Sequence, residues 1–234
     1  MGQLFEITFN EVARLILVRH GRTNHNVLGR VQGITDAPLD EVGLEQAERT
    51  GRALAAFGVD VLYTSPLARA CETAELIGKH VGLTPRLHPD LTEFDFGVIS
   101  SRTIEDMAID QPALYGQLVQ WLSVGWNAPQ LRPRIPGAED EQAFQARLLA
   151  FWADVQARHT GQMTVAVTHG GVIKGMFSLL TGADLRRHMP FWADNCSMSV
   201  IDFHRGAANA RSFNDCGHLG DLREPLGFGK HLVL

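Results

Sequence analysis

Cysteine is scarce in this chain of 234 residues. Cys71, Cys196 and Cys216 are odd in number, far apart and without metal-ligand spacing, which argues against a disulfide framework and predicts reduced thiols. Long apolar runs are also missing: none approaches the ~20 residues that a membrane helix requires. The opening MGQLFEITFNEVAR has acidic residues and no basic stretch leading into an apolar one, unlike a secretory signal. A cytoplasmic protein with no membrane partner is therefore expected. Charge of one sign is modest too. Lys and Arg number 21 against 26 Asp and Glu, so the net −5 offers no whole-molecule attraction for nucleic acid. An anionic small molecule would need a local cluster of Arg and His. The ten histidines contain no close His-x-His or His-Glu-x-x-His pair, and no carboxylate cluster suits Mg²⁺, so neither a metal nor another cofactor is expected. Internal repeats, low-complexity tracts and linkers are absent, and nothing fixes whether the chain is a homo-oligomer.

What is present is an ordinary globular composition, 45% hydrophobic and 20% charged, of a length that suits one domain. The run Arg14–Val18 is short, continuous and apolar, as in a strand buried on both faces of a parallel sheet, and it ends in Arg19-His20-Gly21. A helix is predicted from Asp40 to Phe57, with Asp40 as cap and Leu44, Ala47, Leu54 and Phe57 as its apolar stripe. A strand over Val59–Thr64 follows, then a helix opened by Ser65-Pro66 with Ser65 as cap and stopped by Gly82. A short strand near Pro85–His88 precedes Leu91-Thr-Glu-Phe-Asp-Phe-Gly97. Residues 103–135 read as a helical cap inserted into the core, and its Leu114, Leu118, Trp121, Leu122 and Trp126 as apolar pocket wall or simple cap core. Glu139–His159 is a long helix, Met163–Thr168 a buried strand ending in His169-Gly170-Gly171, with a helix to about Thr181. Ser197–Phe203 and Arg211–Phe213 pair as a hairpin. This alternation predicts a single α/β domain, a mostly parallel sheet with helices on both faces, its core at about 14–203.

Two buried strands thus end alike, in Arg-His-Gly and Thr-His-Gly-Gly. Ligands in such sheets bind beyond the carboxyl ends of the strands, so His20 and His169 would meet there if the strands are neighbours, with Arg19 beside them.

LILVRHGRTNHN resembles the signature of the histidine phosphatase superfamily, also called phosphoglycerate mutase-like. QGITDAPLDEVGLEQA, TSPLARACETAE, LTEFDFG, PGAEDEQAFQAR and VAVTHGGVIKGM resemble five further segments of that family, in its order. The resemblance implies that His20 is a nucleophile carrying the phosphoryl group and that Glu93 is a general acid. It also implies that Arg19, Arg69 and His169 surround the phosphoryl oxygens. Thr23, Asn26 and Gln32 match polar positions at the substrate, each equally able to hold a loop, and Gly170 allows close backbone approach. The implied substrate is a small phosphomonoester: a sugar, glycerate-type or nucleotide phosphate.

Two departures stand out. Val98–Arg102 replaces the family's usual aromatic, Glu and Gly beside the acid, and Arg22 and His25 replace more usual acidic or polar and aromatic residues. The mutases of the family that the chain resembles carry extra Arg, Lys and Tyr after the acid, whereas Ala113 to Pro129 holds no Lys or Arg, so the resemblance implies hydrolysis over a mutase reaction. A non-catalytic phospho-ligand binder is the other alternative, opposed by the intact set His20, His169, Arg19, Arg69 and Glu93.

Overall fold

A computed structural model describes residues 11–124, 128–185 and 191–223. The opening segment as far as residue 10, and Trp126, lie outside the described residues. Six strands form one sheet: β1 (Ala13–Arg19), β2 (Val61–Thr64), β3 (Arg86–Leu87), β4 (Met163–Thr168), β5 (Met198–His204) and β6 (Ala207–Asp215). Their order is β3-β2-β4-β1-β5-β6; the first four run parallel, while β5 and β6 are antiparallel additions. The mostly parallel sheet expected from the sequence is therefore present, with a mixed edge. The hairpin is longer than Arg211–Phe213 suggested. Arg205 and Gly206, both with positive φ (47° and 80°), make the tight reversal that suits the right-handed twist of paired strands.

Continuous Leu, Ile and Val in β1 supply both faces. Leu15 and Leu17 meet Phe144, Leu148, Phe151 and Val155 of α6 (Glu141–Arg158) together with Val172, Ile173 and Met176 of α7 (Gly170–Leu180). Ile16 and Val18 meet Ala70, Ala74 and Ile77 of α3 (Ala68–Val81) and Leu54 of α2 (Glu41–Leu54). A strand buried on both faces reads as an unbroken apolar run for this reason.

Two local expectations are corrected. In α2 only half of the expected stripe is buried: Ala47 and Leu54 face inward, whereas Leu44 is 43% exposed and Phe57, beyond the end of the helix, 52%. The inner face is small and polar (Gly43, Gln46, Ala47, Thr50, Gly51, Leu54) because α2 approaches backbone there. A Cβ on Gly43 would lie 2.1 Å from the Arg22 carbonyl oxygen, so only glycine lets α2 close onto the turn after β1. Second, Ser65 does not cap α3; Leu67 holds the cap position without a side-chain bond, and the Ser65 hydroxyl serves the site instead.

A short α1 (Asn24–Val27) follows β1, and the inserted region has its own α4 (Ile104–Asp110) and α5 (Pro112–Val124). Thr103 caps α4 in a reciprocal box with Asp106. Leu114 and Leu118 pack with Ile99 and Met107 into a separate small core, and Trp121 is buried beneath the Arg132 guanidinium. They form cap core and do not line the cavity at His20.

Candidate active site

Strands β1 and β4 are parallel neighbours with Arg19 opposite Thr168, so one residue further on His20 and His169 emerge side by side. Their ring centroids are 5.2 Å apart. His20 Nδ1 lies 2.7 Å from the Gly21 carbonyl oxygen, which can only accept; Nδ1 therefore carries the hydrogen and Nε2 the lone pair. No hydrogen bond occupies Nε2 among the described residues, and His20 lines a cavity of about 150 Å³. Burial first, then the charges of Arg69 and Arg19, push its pKa well below the usual imidazole value, so the ring is neutral and nucleophilic. Its carbonyl oxygen accepts from Asn195 Nδ2 at 2.9 Å and from the Cys196 N–H at 3.3 Å, which fixes the turn from behind.

His169 is fully buried and is not among the residues that line the cavity. Arg69 Nε, always a donor, lies 3.2 Å from its Nδ1, leaving Nε2–H to donate to Ser65 Oγ at 2.7 Å. Its pKa too is driven well below normal, by burial first and then Arg69. With both nitrogens occupied, His169 backs the nucleophile and orients Arg69. Arg69 itself donates to the Gly33 and Thr35 carbonyls at 2.7 and 2.8 Å. Each terminal nitrogen keeps one hydrogen for the cavity that Arg69 lines. Arg19 Nη1 is anchored on the Ala193 carbonyl at 2.6 Å. Among the described residues its Nε is buried without a partner, on the cavity side of the sheet.

Glu93 enters from the loop after β3. Its carboxylate accepts from the Phe94 N–H (2.9 Å) and from the Gly171 N–H (3.0 Å) at the start of α7. The loop is clamped from below by Arg147, which donates to the carbonyls of Asp90, Thr92 and Glu93 while pairing with Glu139 at 2.7 Å. The Pro136-Gly137-x-Glu139 segment thus acts through Arg147, one positively charged fork joining the acid loop to α6. A Cβ on Gly171 would stand 2.3 Å from Glu93 Oε1. Because that atom ends a flexible side chain, Gly171→Ala is expected to fold normally and swing the carboxyl aside. Turnover should fall by about 10²-fold with an unchanged melting temperature; unchanged turnover would detach Glu93 from the chemistry.

The remaining candidates divide. Asn26, Gln32 and Gly170 line the cavity. Thr23 is buried at 0% exposure outside it; its hydroxyl bridges Asn26 and Gln32 and caps α1, so it holds the loop. Arg22 pairs with Asp40 at 2.8 Å and does not reach the cavity, whereas His25 lines it. Sequence reasoning missed Lys174, Asn195, Arg30 and Trp192, all at the cavity. Lys174 had a signal: a lone cation in an apolar helix, four residues after Gly170 and so on its face. Asn195 had none, since only the antiparallel β5 brings it behind His20. Among the described residues no three His, Cys, Asp or Glu side chains converge as a metal site, and no helix is long and apolar enough to cross a membrane.

A sheet whose parallel strands end in paired, neutral histidines, flanked by the buried Arg69, the half-buried Arg19 and a positioned carboxylate, defines a phosphoryl-transfer class. The chain belongs to the histidine phosphatase superfamily (branch 1), matching it over residues 15–216. It is 30% identical to phosphoserine phosphatase 1 of Hydrogenobacter thermophilus, over 90% of this chain and 96% of that protein. It is 31% identical to a protein named probable phosphoglycerate mutase GpmB in Salmonella newport, over 81% of this chain and 85% of that one. The solved α-ribazole phosphatase of Shigella flexneri superposes with a TM-score of 0.74 at 29% identity, covering 86% and 96% of the two chains. Two of these three relatives are named phosphatases, the class expected from the sequence, and one a probable mutase.

Proposed function

We propose that this protein is a metal-independent phosphomonoesterase that hydrolyses a small phosphorylated metabolite through a phosphohistidine on His20. The observation that carries the reading is the state of His20: a neutral ring, its Nδ1–H tied to the Gly21 carbonyl, its Nε2 turned to a cavity shared with Glu93. In the first step Nε2 attacks phosphorus, the ester P–O bond breaks, and protonated Glu93 gives its proton to the leaving oxygen. In the second, water attacks the same phosphorus, Glu93 takes its proton, and the N–P bond breaks to release inorganic phosphate. Arg19 and Arg69 balance the charge on the equatorial oxygens, in place of a metal. His169 holds Arg69 in register, and Asn26, Gln32 and Gly170 line the path of the substrate.

Hydrolysis rather than transfer to a second alcohol is supported by the cap. Its Leu114 and Leu118 pack on Ile99 and Met107, and the only residue after the acid to reach the cavity among the described ones, up to the end of α6, is Phe96. The test is leaving-group dependence. Glu93→Gln should lower kcat for alkyl phosphates by roughly 10²–10⁴-fold, and much less for para-nitrophenyl phosphate, whose leaving oxygen needs no proton. Equal losses on both substrates would remove Glu93 from the acid role. EDTA should leave the wild-type rates unchanged. Isomerisation of phosphoglycerate faster than phosphate release would instead support a mutase.

A further inference from the structure

Between α7 and β5 the four residues Trp192 to Asn195 pass along the site. Trp192, Ala193 and Asn195 line the cavity, and Asp194 is not among the lining residues. Asp194 is buried, at 4% exposure. A carboxylate is costly to bury unless its oxygens are bonded, and both are. Oδ1 accepts the Trp192 indole N–H at 2.6 Å, and Oδ2 accepts the Asn214 side-chain N–H at 3.0 Å. In return the Asn214 side-chain oxygen accepts the Asp194 backbone N–H at 2.7 Å. Asn214 suits this exchange. It has a positive φ (54°), which asparagine tolerates better than most residues, and it sits where the register of β5 and β6 shifts.

The segment delivers one acceptor to the site. The Ala193 carbonyl takes Arg19 Nη1 at 2.6 Å, and among the described residues this is the one hydrogen bond that holds the guanidinium. Arg69 is held from three nitrogens. A planar cation fixed at a single point can turn about it, so the direction of Arg19 is set by where the Ala193 carbonyl stands.

We propose that Asp194 is a positioning residue: by tying Trp192 to Asn214 it fixes the Ala193 carbonyl, and through that carbonyl it aims Arg19 at the phosphoryl oxygens. The inference rests on the role of Arg19 in the phosphatase reading above and adds a residue that touches no substrate. Asn195 gives the same segment a second line to the site, through its bond to the His20 carbonyl, and the experiment separates the two lines.

Asp194→Asn keeps the volume but turns one acceptor into a donor, so one of the two bonded N–H groups loses its partner. Misplacing a group by about 1 Å can cost ~10²-fold. Orthovanadate binding and kcat/KM for para-nitrophenyl phosphate should therefore each fall by at least about tenfold. In an Arg19→Met background the same substitution should change both by less than about twofold, because the group it positions is gone. In an Asn195→Ala background the tenfold factor should persist. A merely structural role gives the same factor in all three backgrounds, and that result overturns the proposal. So does an Asp194→Asn protein that behaves as wild type, or a factor that vanishes with Asn195→Ala and survives Arg19→Met. If Asp194→Asn does not fold, Asn214→Ala cuts the other arm and enters the same cycle under the same criteria. The two readouts keep this inference apart from the reading beneath it. Vanadate binding that loses its dependence on Asp194 in Arg19→Met, in a protein that hydrolyses no phosphomonoester, leaves the positioning intact and overturns the phosphatase reading. Hydrolysis with equal factors in every background overturns the positioning alone. A protein that neither binds vanadate nor hydrolyses a phosphomonoester ends both.

Discussion

In His20→Ala the phosphoryl acceptor is gone, and kcat/KM for every phosphomonoester should fall by at least ~10⁴-fold, the scale on which nucleophile removal acts in enzymes using covalent intermediates. Acid-lability provides the direct check: wild type mixed with a radiolabelled substrate and quenched in alkali should retain label on one histidine, and His20→Ala should retain none. Label elsewhere would move the nucleophile. The pH behaviour follows from the same ring. Because His20 is held neutral by burial and by Arg69 and Arg19, the acid limb of kcat/KM should lie well below pH 6.5. The folded state pays for this in acid. His20 and His169 both have pKa values lowered on folding, so below pH 6.5 the unfolded chain binds protons that the folded one does not. Stability present at neutral pH should therefore drain away as pH falls, by roughly 1 kcal/mol per pH unit for each ring. Removing one ring should shallow the acid-side slope of melting temperature. A slope equal in wild type and His20→Ala would show that the ring is protonated in the fold.

The strands that position this site were legible because burial on both faces leaves an unmistakable trace: Leu15, Ile16, Leu17 and Val18 cannot alternate with polar residues when helices cover both sides. The two histidine turns were legible because polar residues ending such runs must emerge at one edge of the sheet. The buried face of α2 was legible only at Ala47 and Leu54, since Gly43, Gln46 and Thr50 are chosen to touch backbone, and no apolar period records that. Ser65 was misread as a cap because a Ser before Pro is usually one; its hydroxyl is taken by His169, a contact 104 residues distant. Arg147 was invisible for the same reason. Its three carbonyl acceptors lie 54 to 57 residues upstream, and nothing in its own helix distinguishes it from a solvated arginine. Residues that act on the substrate sit at element ends, where pattern breaks reveal them. Residues that hold those in place act through tertiary contacts, which leave no local mark.

Arg69 joins these two groups, and Arg69→Met should show it by failing in both at once. The side chain is fully buried, and burial lowers its pKa to about 10, still cationic at neutral pH. It costs folding free energy to place it there. That cost is offset by three donated bonds, to the carbonyls of Gly33 and Thr35 and to His169 Nδ1. Methionine of similar length refills most of the volume and leaves all three acceptors bare, at about 1–3 kcal/mol for each one that water cannot reach. Breaking such a buried cationic network typically costs about 3–5 kcal/mol in total. For a chain of this size that is a fall in melting temperature of roughly 6–20 °C. The catalytic loss is separable: absence of one preorganised donor at the phosphoryl group should lower kcat by about 10²–10³-fold. Arg69→Lys distinguishes the two effects. It keeps a cation beside His20, but one ammonium cannot span acceptors that the planar fork reaches from three nitrogens. Lysine should therefore recover part of the rate while the melting temperature stays low. The Gly21 N–H, bonded to the Thr73 hydroxyl that in turn donates to the Arg69 carbonyl, couples this helix turn to the nucleophile itself. Hence even the lysine variant should not reach the wild-type rate. Full recovery of rate with lysine would reduce Arg69 to a charge, and an unchanged melting temperature in Arg69→Met would remove its role in holding the Gly33–Thr35 loop.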